Sequence, residues 1–152
     1  AEGRKVICLR TFSKIYGLAG LRVGYSYSSP ELAGFLNRAR EPFNVNSIAQ
    51  VAALAALDDT DYVEKVRRVN KAGMKQFVEA FERLGLTYFA EGANFVMVKP
   101  DSASEIFVKL QKRGVIVRPN VGYGLPEWLR ITIGTPEQNQ RCIDELSKLI
   151  QA

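Results

Sequence analysis

Four side chains in one short run of this chain have types and spacing suited to chemistry. They are Thr11, Ser13, Lys14 and Arg22, within Thr11-Phe12-Ser13-Lys14-Ile15-Tyr16-Gly17-Leu18-Ala19-Gly20-Leu21-Arg22-Val23-Gly24-Tyr25. A lysine amine at the end of a strand can condense with a carbonyl compound. Hydroxyls donate to phosphate oxygens, and a guanidinium makes a forked, charge-assisted pair with them. A cofactor carrying both an aldehyde and a phosphate is pyridoxal phosphate. The other reading of the same residues is a surface lysine on a polar turn with a solvated arginine.

Two apolar stretches must position this run. Val6 to Leu9 reads as a buried strand, within a first strand from Lys5 to Leu9. Leu21 to Tyr27 reads as a second strand. Gly17 and Gly20 are expected to keep the connection tight and free of bulk.

The order Ser-Lys, Gly-Leu-Ala-Gly, Leu-Arg, Gly-Tyr resembles the lysine motif of the fold-type I pyridoxal-phosphate aminotransferases. Within them it is most like that of the histidinol-phosphate aminotransferases. The resemblance implies that Lys14 is catalytic and holds pyridoxal phosphate. Thr11, Ser13 and Arg22 would anchor the cofactor phosphate. It implies transamination of histidinol phosphate with 2-oxoglutarate in histidine biosynthesis. The small-molecule partners would be a phosphorylated amine and a 2-oxo acid. It also implies a homodimer in the parent enzyme, whose aspartate, tyrosine and asparagine near the cofactor ring would come from segments upstream of the lysine. Such enzymes are more than twice as long, so the chain is expected to be a C-terminal part, inactive or nearly so alone.

Composition sets wider bounds. The chain has 152 residues, 47% of them apolar, enough for a core. Net charge is +5, but basic and acidic residues are interleaved and no basic block alternates with aromatics, which argues against nucleic acid. There is no histidine, which excludes histidine-based triads and histidine-ligated metals within this chain. Cys8 and Cys142 lack metal or disulfide-framework spacing and read as reduced core thiols. No signal peptide or long apolar span is seen, so a cytoplasmic protein without a membrane partner is expected.

Further along, Ser29-Pro30-Glu31 starts a helix with Leu32, Phe35, Leu36 and Ala39 on one face. Asn46-Ser47 starts another, apolar all round from Ile48 to Leu57 and expected to be buried between layers. A long helix follows from Asp61 to Leu84, stopped by Gly85. From Leu86 the pattern is strand, strand, helix, strand, strand, helix. Its strands are placed at 86–90, 94–99, 115–118 and 129–133, and Thr135-Pro136-Glu137-Gln138 reads as a capping box. The fold class is therefore α/β, a small sandwich with helices covering a sheet. By the resemblance, residues 1–59 are a remnant of the large cofactor domain's sheet and 60–152 the small C-terminal domain.

Arg130 and Arg118 form a second constellation. Arg130 alternates with Leu129 and Ile131 in a strand, where a buried charge needs a partner. That partner could be a structural acid; the resemblance implies a substrate carboxylate instead. Arg118 closes Val115-Ile116-Val117, and the resemblance implies a role at the distal phosphate of the substrate, against a plain ion pair. Tyr123 could border the same pocket or simply pack in its loop. Asn94 matches a family segment near the substrate, or is a turn asparagine. An aromatic amino-acid aminotransferase, a phosphothreonine-type decarboxylase of this fold and a non-catalytic aminotransferase-like sensor domain are the alternatives.

Overall fold

The computed structural model describes residues 4–151. The chain divides into two compact units, Ala1–Val66 and Arg67–Ala152, with the division inside one helix.

In the first unit, β1 (Ile7–Thr11) and β2 (Gly24–Ser28) form an antiparallel ribbon in which Thr11 faces Gly24. A single turn of 3-10 helix at Ala19–Leu21 lies in the connection. Both strands start later than the apolar pattern suggested. The ribbon is also not buried: Val6, Ile7 and Leu9 are exposed and Cys8 is half-buried, because β1 pairs only with β2 among the described residues. Helix α1 (Pro30–Ala39) starts where Ser29 Oγ accepts the Leu32 amide. Helix α2 (Ser47–Asp58) starts where Asn46 Oδ1 accepts the Ala49 amide at 2.8 Å. Contrary to expectation, α2 buries only Ala49 and Ala53, against Phe12 and Val23; Ile48, Val51 and Leu54 face outward.

Helix α3 (Thr60–Arg83) leads into the second unit. It ends where the Leu86 amide donates back to the Phe81 carbonyl across Gly85. The second unit's strands are β3 (Thr87–Phe89), β4 (Phe95–Lys99), β5 (Arg118–Asn120) and β6 (Leu125–Thr132). They pair antiparallel in the order β3-β4-β6-β5. Helices α4 (Ala103–Lys112) and α5 (Pro136–Ile150) join α3 over one face. Val96, Val98, Leu129 and Ile131 from that face pack with Phe77, Phe81, Leu110 and Leu146. The two-layer sandwich and the order of its elements are as the pattern predicts.

Two strand boundaries differ, for a local reason. The Val115 amide donates to the Leu110 carbonyl at the end of α4, so Val115 to Val117 are outside the sheet and Arg118 opens β5 rather than closing it. β6 begins at Leu125, inside the expected loop, because β5 re-pairs with it past an irregularity: Pro119 faces Leu129, but Asn120 faces Leu125. Extra residues on one strand of a pair make a bulge. Proline is tolerated here because β5 is an edge strand.

Candidate active site

Thr11 ends β1, and its Oγ1 accepts the Ser13 amide at 3.0 Å. This bends the chain off the strand so that Lys14 falls in the turn. The Gly17 amide donates to the Lys14 carbonyl, and the Leu18 amide to the Phe12 carbonyl, both at 2.9 Å. Gly17 has φ +70, a conformation that favours glycine. Lys14 is exposed and Ser13 half-buried.

Arg22 adopts the left-handed conformation (φ 53), uncommon for a side chain of this size. Its guanidinium donates to the Ala19 carbonyl at 2.7 Å, within the turn that ends at Leu21. Thr11 and Arg22 line one open depression of about 580 Å³, together with Leu9, Gly24, Tyr25 and Asn44. Lys14 and Ser13 are not in that lining. Gly24 is needed for its close approach: a Cβ there would lie 2.7 Å from the Arg10 carbonyl oxygen. At Gly20 a Cβ would meet nothing within 4 Å, so the expectation for that glycine is not borne out. The donor set of the first unit is an amine, hydroxyls and a guanidinium, which fits a compound with an aldehyde and a phosphate.

In the second unit, Arg118 and Arg130 stand directly opposite each other across the β5–β6 ladder, on the sheet face away from the helices. Like charges in such a position repel. Neither has a carboxylate within ion-pair distance among the described residues. The acid on β6, Glu127, pairs instead with Lys99 at 2.8 Å. Arg130 Nε is buried and has no hydrogen-bond partner. Leaving such a donor unmade costs about 1–3 kcal/mol. Phe95 lies beneath its guanidinium at 5.1 Å. Arg118 donates to the Tyr123 hydroxyl at 3.2 Å, with its guanidinium 5.5 Å from that ring's centre. The arrangement is open to an anion.

The Asn94 carbonyl accepts the Ile133 amide at 3.0 Å, starting the β4–β6 edge, while its side chain is exposed. Three asparagines that hold this frame were not singled out in the sequence. Asn70 donates to the Ala93 carbonyl, Asn120 to the Trp128 carbonyl, and Asn139 brackets Gly134 through both its amide and its oxygen. Asn120 and Asn139 are buried. Asn70 and Asn120 bond backbone groups that the fold brings near, whereas Asn139 reaches back five residues to Gly134 at the start of α5. Cys142 is in the core, where burial pushes its thiol up to about 12. Cys8 is only half-buried, not a core thiol. No group of metal-ligating residues is found among the described residues, and none of their helices is long and apolar enough to cross a membrane.

A sequence model of the family described as aminotransferase class I and II matches residues 1–146. The chain is 49% identical over 149 residues to histidinol-phosphate aminotransferase of Akkermansia muciniphila, covering 98% of this chain and 41% of the relative. It is 53% identical to histidinol-phosphate aminotransferase 2 of Ralstonia nicotianae, covering 94% and 40%. The fold is similar to the crystal structure of histidinol-phosphate aminotransferase from Sinorhizobium meliloti in complex with pyridoxal-5′-phosphate. That match has a TM-score of 0.87 and 31% identity, and covers 96% of this chain and 41% of that one. The chain thus spans about two fifths of the length of these relatives.

Proposed function

The chain belongs to the aminotransferase class I and II family, and on that premise we propose that it serves, as part of a longer enzyme, the transfer of an amino group between histidinol phosphate and 2-oxoglutarate. Pyridoxal phosphate, when bound, supplies the carbonyl that receives the amino group and the ring that draws electrons from the adjoining carbon. Lys14 is the residue that would hold its aldehyde. Thr11, Ser13 and Arg22 would bind its phosphate, two hydroxyls and a fixed guanidinium against an anion.

Lys14 has a second task. Its free amine would take the proton from the substrate carbon that bears nitrogen, as general base, and deliver it to the carbon of the cofactor's former aldehyde, as general acid. Arg130 and Arg118 bind the anionic ends of the substrates and so orient that carbon. The opposed pair of arginines without an acidic partner is the observation that carries this reading. It suits reactants that are anionic in both half-reactions, a phosphate in one and carboxylates in the other. The reading includes a cytoplasmic homodimer as the working form.

The test is Arg118→Ala in the full-length enzyme, assayed with histidinol phosphate and with an aromatic amino acid as donors. Loss of about tenfold or more on the phosphorylated donor alone is expected, the scale of one charge-assisted contact. Equal loss on both donors would contradict a phosphate-binding role.

A further inference from the structure

The partners of the two opposed arginines are aromatic rings, and this choice has a chemical consequence. A carboxylate beside a guanidinium neutralises it; an aromatic face orients it and leaves its charge and N–H edge free for another anion. Phe95 does this for Arg130 and Tyr123 for Arg118. Tyr123 adds a hydroxyl that accepts from Arg118 at 3.2 Å. It is thereby the one of the two rings that can fix the direction of the guanidinium as well as its height above the ring.

The backbone is built to keep Tyr123 there. It lies in the turn Val121–Tyr123, closed where the Gly124 amide donates to the Val121 carbonyl at 3.0 Å. That turn joins β5 to β6 across the bulge, and the buried Asn120 side chain pins the bulge by donating to the Trp128 carbonyl. Bulges of this kind re-aim side chains beside sites. Here the effect is to bring Tyr123, five residues along the chain, back onto Arg118.

We propose that Tyr123 is a positioning residue for Arg118, and that by holding this guanidinium against the repulsion of Arg130 it sets the preference for a phosphorylated over an unphosphorylated amine. The proposal rests on the reading of Arg118 as a phosphate-binding group. Tyr123 need not touch the substrate itself; it acts through the arginine.

The experiment uses the full-length enzyme loaded with pyridoxal phosphate, with histidinol phosphate and histidinol as paired donors and 2-oxoglutarate in excess. The readout is the ratio of kcat/KM for the two, measured for wild type, Tyr123→Phe, Arg118→Ala and the double variant. Tyr123→Phe keeps the ring and removes only the hydroxyl, so folding is preserved. We expect it to lower the ratio about three- to tenfold, chiefly through KM for histidinol phosphate, on the scale of one hydrogen bond to a charged group. In the Arg118→Ala background the same change is expected to have no further effect, since its target is gone. If Arg118→Ala collapses the ratio and Tyr123→Phe leaves it unmoved, the proposal is overturned while the role of Arg118 stands. If Arg118→Ala leaves the ratio intact, the reading beneath the proposal fails and takes it down too. If Tyr123→Phe still lowers the ratio in the double variant, Tyr123 does not act through Arg118 and positioning is refuted.

Discussion

Gly24 and Gly20 lie four residues apart in the same run and differ in what they can tolerate. A Cβ at Gly24 would press on the Arg10 backbone at 2.7 Å, whereas one at Gly20 has open space. Gly24→Ala is therefore expected to part the ribbon where Thr11 pairs, and to weaken pyridoxal phosphate binding by the full-length enzyme several-fold in a titration followed by absorbance. Gly20→Ala should bind within twofold of wild type. Cys142 gives a pH-dependent expectation. Its thiol is pushed up to about 12 in the fold by burial, while an unfolded cysteine titrates near about 8.5. The neutral thiol's contribution is thus fully present below about pH 8.5 and is lost as pH rises toward 12. Urea unfolding between pH 8 and 10 should show a steeper loss of stability in wild type than in Cys142→Ala; identical slopes would contradict it. At this scale the sequence offers candidates where residues suited to chemistry sit in a contiguous run, as around Lys14. It was silent on Asn120, whose partner Trp128 is brought near by the β5–β6 pairing.

Elements were legible where capping is local. Ser29, Asn46 and Thr135 each accept the amide three residues on, and Gln138 returns the bond to Thr135, as the residue types imply. Strand edges were less so. Val115 to Val117 have the composition of a strand, but the Val115 amide is committed to ending α4. Apolar content alone also misjudged β1 and α2, much of whose apolar surface is exposed. One packing contact went unnoticed because a glycine inside a helix reads only as a weak point. A Cβ at Gly73 would lie 2.5 Å from Ile133 Cγ2 and 2.7 Å from Asn139 Nδ2. Gly73→Ala should therefore destabilise by about 1–3 kcal/mol, despite alanine's better helix propensity. A rise in the midpoint of thermal unfolding would show that the helix can shift and that the contact is slack.

For the molecule as a whole, two groups of basic residues on two compact units have to be read together with the family. The composition alone gave a basic, histidine-free chain with enough apolar residues for a core, which narrows chemistry without naming it. The ordered motif around Lys14 carried the resemblance to the family. The measurement that bears most directly on the central claim is an absorbance spectrum of the full-length enzyme with pyridoxal phosphate. Histidinol phosphate and then 2-oxoglutarate would be added, and borohydride labelling of the resting enzyme located by peptide mass. A near-visible band that histidinol phosphate bleaches and 2-oxoglutarate restores, with the label on Lys14, is expected. A band that no amine moves, or a label on another lysine, would contradict it.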